Sequence, residues 1–345
     1  MKTEVYQIGE VVAAGAQSYK LVRRLGDGTF GTVYEALDLL LKRGVAIKLL
    51  RPHLGADFAS RMRREWETLA RLHHPNIVQV LSAGFTTDRG VPFLTMPLLT
   101  GAPLRAVLKE SGALPFDRAL DLGVELFSAL GEAHRERVVH RDVKPENILL
   151  ERTSPRMITL KLLDFGLVCS SSSRTATAHG LRGTPQYAAP ELFYGDPPSP
   201  KSDLYSAGIV LFEMLTGIHP LTSASRDWRY LHSESRPMSL EELMPDPPAA
   251  LVHLQALLLS KLPDDRPVSA TGCAGQLQAV IDAGRPNKNT TVEDLIDSKL
   301  RGLAGPAPDE ITQPDPPSFA LLHEAGLTHD TDVDPPPSSE SVSGL

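Results

Sequence analysis

Three ionisable side chains sit where apolar or polar strings end. Lys48 follows Val45-Ala46-Ile47, Asp142 lies in His140-Arg141-Asp142-Val143-Lys144-Pro145-Glu146-Asn147, and Asp164 opens Asp164-Phe165-Gly166 after the strand-like run 158–163. Upstream of all three, Gly26-Asp27-Gly28-Thr29-Phe30-Gly31 is a glycine-rich turn between two strand-like segments. Glycine serves where backbone must approach phosphate oxygens closely or take positive φ. Carboxylate oxygen suits a small hard cation, and Mg²⁺ on phosphate needs only one or two protein carboxylates. Each string alone has a plain explanation: a surface lysine, a polar loop after a helix, a simple hairpin. Their order and spacing along one chain do not. A strand follows the glycine turn, which argues against a dinucleotide-binding fold.

These strings, with Gly183-Thr184-Pro185-Gln186-Tyr187 and Ala188-Ala189-Pro190-Glu191 further on, resemble the eukaryotic-type serine/threonine protein kinase family. The likeness runs from Tyr19 to Ile281. The short connection over 219–236 resembles the family's bacterial branch. The resemblance implies transfer of the ATP γ-phosphoryl group to Ser/Thr hydroxyls of protein substrates, with Mg²⁺, or Mn²⁺ in its place.

Carried over residue by residue, the resemblance makes Asp142 the catalytic base and Lys144 a counter-charge for the moving phosphoryl group. Asn147 and Asp164 become the metal ligands. Lys48 would contact the α- and β-phosphates and pair with a helix glutamate. Glu65 is favoured over Glu67, because two residues along a helix point to different faces. The nucleotide would meet Gly26, Asp27, Gly28, Thr29, Phe30, Gly31, Val33, Ala46 and Leu149. In the segment joining the lobes, Met96 takes the gatekeeper position. Pro97 lacks an N–H, so it would offer adenine its carbonyl only and Leu99 would supply the donor. Glu191 is expected to form a structural ion pair with Arg266. Asp203 is expected to hold the catalytic loop by accepting backbone hydrogen bonds, and Thr184 to bond near Asp142 and Lys144.

Regulation is read from Arg141, which in the family commonly binds an activation-loop phosphate. Thr175 or Thr177, in the hydroxyl-rich stretch 170–177, is the expected autophosphorylation site, with self-association of the chain to achieve it. Two other function classes compete. A nucleotide-binding pseudokinase scaffold would usually have lost one of Lys48, Asp142, Asn147 or Asp164. A small-molecule phosphotransferase would not need the peptide platform of Gly183-Thr184 and Ala189-Pro190-Glu191.

The elements that must position these residues change character along the chain. Strand-like segments occupy 19–24, 33–36, 45–49, 77–84 and 91–99, with one helix over 57–72. Helical spacing then dominates: 116–137, 203–216, 250–262 and 270–281. This is an α+β, bilobal kinase fold: an antiparallel sheet lobe with one main helix, then a mostly helical lobe. The domain is expected over 19–283, with an N-lobe over 19–96, a hinge over 97–101 and a C-lobe over 102–283. Residues 1–18 read as a leader. Residues 284–345 read as a Pro/Ser/Asp-rich, largely disordered tail, with 292–303 and 319–322 as short apolar segments and Thr312 and Thr331 as exposed hydroxyls. The chain of 345 residues carries a formal net charge of −7, which disfavours a nucleic-acid partner. Its two cysteines form no disulfide framework. With no signal peptide and no membrane span in view, a cytoplasmic location is expected.

Overall fold

The computed structural model describes residues 6–28, 31–51, 58–154, 157–165, 184–221 and 227–284. Thr29, Phe30, Gly166, Gly183, the stretch with Thr175 and Thr177, and the expected tail with Thr312 and Thr331 lie outside the described residues.

The first half is an antiparallel six-stranded sheet. Its strands are β1 (Val11–Ala14), β2 (Gln17–Asp27), β3 (Gly31–Asp38), β4 (Arg43–Leu50), β5 (Ser82–Phe85) and β6 (Pro92–Pro97), in the order β1-β2-β3-β4-β6-β5. Strand β4 is central and buried on both faces. Val45, Ile47 and Leu49 join Tyr19, Leu21, Tyr34 and Phe93 on one side, whereas Ala46 and Leu50 join the cluster containing Met62, Trp66 and Leu69 on the other. Side chains alternate along a strand. Lys48 therefore shares the face of Ala46 and Leu50, beneath helix α1 (Phe58–Leu69). The alternation of β4 is what aims a lysine inward.

The segment read as a leader belongs to this sheet. Val11↔Lys20 and Val12↔Tyr19 pair β1 with β2, and Tyr6 and Val12 are fully buried. The run Glu10-Val11-Val12 is too short to show a period, so its pairing is a tertiary fact rather than a local one.

The second half is built on helices α2 (Leu104–Ser111), α3 (Phe116–Arg135), α4 (Pro200–Thr216), α5 (Trp228–Ser233), α6 (Ala249–Leu258) and α7 (Ala270–Gly284). Helix α4 is buried all round, from Ser202 to Leu215, as a helix through the centre of a lobe must be. It starts on a capping box between Ser199 and Ser202 and stops at Gly217 in the left-handed region. A small sheet of β7 (Gly101–Pro103), β8 (Ile148–Ser154) and β9 (Met157–Leu162) lies at the start of this half. Among the described residues no helix is long and apolar enough to cross a membrane.

Candidate active site

The polar loop between α3 and β8 is anchored from below by Asp203, in the first turn of α4. Its carboxylate accepts the backbone N–H of His140 (2.8 Å) and of Arg141 (2.9 Å), and it also meets His134 Nε2 at 2.8 Å. Arg141 has φ of +70°, a left-handed backbone that a non-glycine residue adopts only at a cost of about 1–3 kcal/mol. The two hydrogen bonds to Asp203 hold it there. His140 points inward and is wholly buried. Its Nδ1 accepts from Asp142 N at 3.3 Å, so its Nε2–H donates to the Leu163 carbonyl at 2.8 Å. Burial pushes its pKa below the usual histidine value, which keeps the ring neutral in that tautomer. The ring also rests on Phe165, 4.7 Å between centroids.

Asp142 emerges from this loop half-buried. Its Oδ2 accepts from Lys144 Nζ at 2.6 Å and from Asn147 Nδ2 at 3.0 Å. Asn147 Nδ2 also donates to the Asp142 carbonyl at 2.8 Å. The ammonium of Lys144 reaches the Thr184 hydroxyl as well, at 2.7 Å. One lysine thus joins the polar loop to the far segment that carries Thr184.

Asp164 arrives on the strand end after β9. The hairpin register pairs Ile148 with Leu162, and Leu163 N donates to the Asn147 carbonyl at 2.8 Å. Asn147 and Asp164 are brought side by side in this way. Asp164 takes φ of +54°, and its Oδ1 meets Lys48 Nζ at 2.7 Å. The lysine is 4% exposed and the Asp164 side chain 33% exposed, so the pair is rooted in the core and open at the carboxylate. Lys48 thus forms an ion pair with Asp164. Glu65 lies half-buried in α1, the helix whose Met62, Trp66 and Leu69 pack toward Lys48's face of the sheet. Glu67 is exposed.

Above the cleft, β2 and β3 carry the glycine turn. Gly26, Asp27 and Gly28 are exposed and Val33 is half-buried. Gly28 N donates to the Gly31 carbonyl at 2.8 Å, and Thr32 Oγ1 donates to Asp27 Oδ1 at 2.7 Å. Gly31 is obligatory: a Cβ there would meet the Leu49 carbonyl oxygen at 2.3 Å. At the junction of the halves, Ala46 pairs with Met96 and Val45 with Pro97. Met96 is buried, whereas Pro97, Leu99 and Leu149 are half-buried at the rim. A pocket behind Met96, lined by Leu69, Leu72, Ile77, Leu94 and Phe165, runs to Asp164.

Further out, Glu191 and Arg266 form a buried two-pronged pair, both bonds at 2.7 Å. A second buried acid was not read from the sequence as a site residue. Glu213 of α4 accepts from Tyr187 OH at 3.0 and 2.9 Å and from Arg105 Nη2 at 3.4 Å, and Arg105 also meets Tyr187 OH. Arg105 Nε donates to Glu146 at 2.8 Å. Burial, opposed by Arg105, pushes the Glu213 carboxyl up to about 7. The signal was present: Glu213 is a lone acid in the apolar run 207–215. Its partners, from distant segments, were not legible.

The arrangement suits phosphoryl chemistry: a carboxylate beside a lysine, a second carboxylate and a carboxamide in register, and a glycine turn above a buried ammonium. Comparison with known proteins agrees. Residues 19–276 match the family model described as protein kinase domain. The DNA damage-responsive serine/threonine-protein kinase RqkA of Deinococcus radiodurans is 39% identical over 264 residues, covering 75% of this chain and 39% of the relative. Serine/threonine-protein kinase PknB of Mycobacterium tuberculosis is 33% identical over 310 residues, covering 86% and 49%. The chain therefore spans less than half the length of these curated relatives. A crystal structure of the Mycobacterium tuberculosis PknI kinase domain superposes with a TM-score of 0.62 at 26% identity, covering 81% of this chain and all of that one. The chain belongs to the protein kinase family, as a eukaryotic-type serine/threonine kinase domain that resembles bacterial kinases of the PknB and PknI kind.

Proposed function

We propose that the chain transfers the ATP γ-phosphoryl group to serine or threonine hydroxyls of protein substrates. The observation that carries this reading is Lys144, whose ammonium touches both Asp142 Oδ2 and Thr184 Oγ1. That contact sets a base and a positive charge beside the segment whose sequence resembles the family's substrate-facing loop. The substrate oxygen forms its bond to the γ-phosphorus as the bond to the β-phosphate oxygen breaks. Its proton passes to Asp142, and ADP leaves. Lys144 offsets charge on the moving group, and Lys48 holds the phosphates that remain.

The donor set fits Mg²⁺. Asp164 offers a carboxylate open to solvent, and Asn147, with its Nδ2 committed to Asp142, has its carboxamide oxygen left to meet a cation. Both are hard oxygen donors. Asp164 and Asn147 would hold such an ion, which would supply positive charge to the phosphates, a role Mn²⁺ could also fill.

The regulatory part of the proposal is autophosphorylation at Thr175 or Thr177 between self-associated copies, read by Arg141. Its side chain is exposed while its backbone is fixed by Asp203. The domain is taken to work in the cytoplasm, in keeping with a sequence that has two cysteines and no disulfide framework.

The test is intact-protein mass after incubation with Mg²⁺ and ATP, beside Asp142→Asn, with casein as added substrate. The wild type should gain phosphate, and Asp142→Asn should lose a factor of about 10²–10⁴ in rate while still binding nucleotide. Asp164→Ala should lose metal-dependent nucleotide binding too. ATP binding without transfer to either acceptor would make the chain a nucleotide-binding scaffold instead.

A further inference from the structure

Beyond α4 the chain turns at Gly217, φ +76°, and presents His219 to the turn Pro185–Tyr187. His219 Nε2 lies 2.8 Å from the Gln186 carbonyl oxygen. Its Nδ1 lies 3.1 Å from Leu221 N, which can only donate, and 3.1 Å from Leu221 O. The tautomer with hydrogen on Nε2 satisfies the Gln186 carbonyl and the Leu221 N–H together. The other would set a lone pair against the Gln186 oxygen and an N–H against an N–H. The contacts therefore select the Nε2–H form. The ring is clamped by edge contacts to Tyr187 (5.8 Å) and Trp228 (5.2 Å).

The turn it grips is exposed at Pro185 and Gln186 and buried at Tyr187. Tyr187 is held twice from α4: its carbonyl accepts from Ser206 Oγ at 2.6 Å, and its hydroxyl donates to Glu213. Among the described residues Gln186 has no such anchor from α4 itself; its carbonyl meets His219 Nε2, with the buried His232 also close to the Pro185 and Gln186 carbonyls. Immediately before the turn is Thr184, bound to the lysine that touches Asp142. The path from His219 to the base is one hydrogen bond, two residues of backbone and Lys144.

We infer that His219 is a positioning residue for the protein substrate: by holding the Gln186 carbonyl it sets the exposed turn at the height where Thr184 meets Lys144 and Asp142. This rests on the kinase reading above. His219 touches no reacting atom. Its effect should appear in how a polypeptide is seated, and not in how nucleotide binds, since nothing it contacts belongs to the glycine turn, Lys48 or the 96–99 segment.

His219→Phe keeps a ring against Tyr187 and Trp228 and removes the donor, while His219→Gln offers an amide N–H in place of Nε2–H. With casein as substrate, His219→Phe should lower kcat/KM for the protein by about tenfold, the worth of one buried donor lost. The KM for ATP should stay within about twofold of wild type, and His219→Gln should restore most of the loss. Hydrogen exchange of backbone amides 186–188 should quicken by about tenfold in His219→Phe and return toward wild type in His219→Gln. Wild-type behaviour of His219→Phe in the kinetics overturns the inference, as does an equal loss in the casein and ATP parameters, which would mark a merely structural histidine. If the wild type transfers no phosphate at all, it is the kinase reading that fails; unchanged exchange at 186–188 in His219→Phe would then separately overturn the anchoring role, and quickened exchange would support it.

Discussion

Two buried cations in this molecule illustrate how a closed ion pair differs from an open one. Arg266 has a wholly buried side chain and uses its whole guanidinium. Nη1 meets Glu191 and the Lys201 carbonyl, Nη2 meets Glu191 and the Lys261 carbonyl, and Nε donates to the Ser260 carbonyl at 2.9 Å. Its plane also lies 4.9 Å from the Tyr205 ring. Such a fork cannot be imitated by an ammonium. Arg266→Met should cost about 3–5 kcal/mol, the usual penalty for breaking a buried pair by removing one partner. Urea unfolding at neutral pH would measure it, and a loss below about 1 kcal/mol would show that the pair is replaceable. Lys48 is as buried, yet its partner Asp164 is one-third exposed, leaving the carboxylate accessible to a ligand. The same contrast decided what could be read from the sequence. Glu191, Arg266 and Asp203 each sit in a string that resembles a family motif, and that resemblance implied their structural roles. The Lys48–Asp164 pair depends on how two halves of the chain close, which no local string encodes.

At the scale of elements, the long periodic segments were legible and the short paired ones were not. Helix α3 begins at Phe116 and ends within two residues of the expected 137, because its nine buried residues recur at helical spacing. Helix α4 extends three residues before the expected start, since Pro200, Lys201 and Ser202 belong to its cap rather than its apolar run. The region expected as a strand over 77–84 is mostly irregular: only Ser82–Phe85 pairs with β6, and Ile77 makes a single bridge to Leu162. Strand β7 has three residues, too few for any pattern, although it pairs with β8, which follows the loop that carries Asp142. Packing between helices sets a sharper requirement than propensity. Gly208 lies mid-way along α4, where alanine would ordinarily favour the helix by about 1 kcal/mol. A Cβ there would stand 2.8 Å from Leu258 Cβ of α6, and neither backbone can yield without moving a core helix. Gly208→Ala should therefore destabilise by about 1–3 kcal/mol, the range for overpacking. A thermal melt that rises instead of falling would show that α6 can shift.

For the molecule as a whole, the decisive feature is a pair of opposed buried titrations on either side of the turn Pro185–Tyr187. His232 is fully buried, with Tyr205 OH at 3.0 Å and His219, Trp228 and Phe193 around its ring. Burial, with the Lys261 ammonium adding positive charge nearby, lowers its pKa from 6.5 to about 3. A depressed folded pKa gives stability that is complete above the unfolded value and fades as pH falls through the interval from 6.5 toward 3. Between pH 7 and 5 that loss is about 2 kcal/mol. Glu213 runs the other way. Its pKa is raised from 4.5 to about 7, so its contribution is complete below 4.5 and fades as pH rises through 7; moving from pH 7 to 5 returns about 2 kcal/mol. Arg105, Tyr187 and Glu146 are the groups that face or surround it. The two terms nearly cancel in the wild type. His140, His219 and His74, whose pKa values are also lowered by burial, add a common acid slope that is shared by wild type and variants. The cancellation can be broken from either side. Relative to wild type, His232→Phe should gain about 2 kcal/mol on going from pH 7 to 5, and Glu213→Gln should lose about as much. Urea unfolding of the three proteins at pH 5, 6 and 7 would show the profiles diverging in opposite senses. Parallel profiles would mean that neither group titrates as its burial requires.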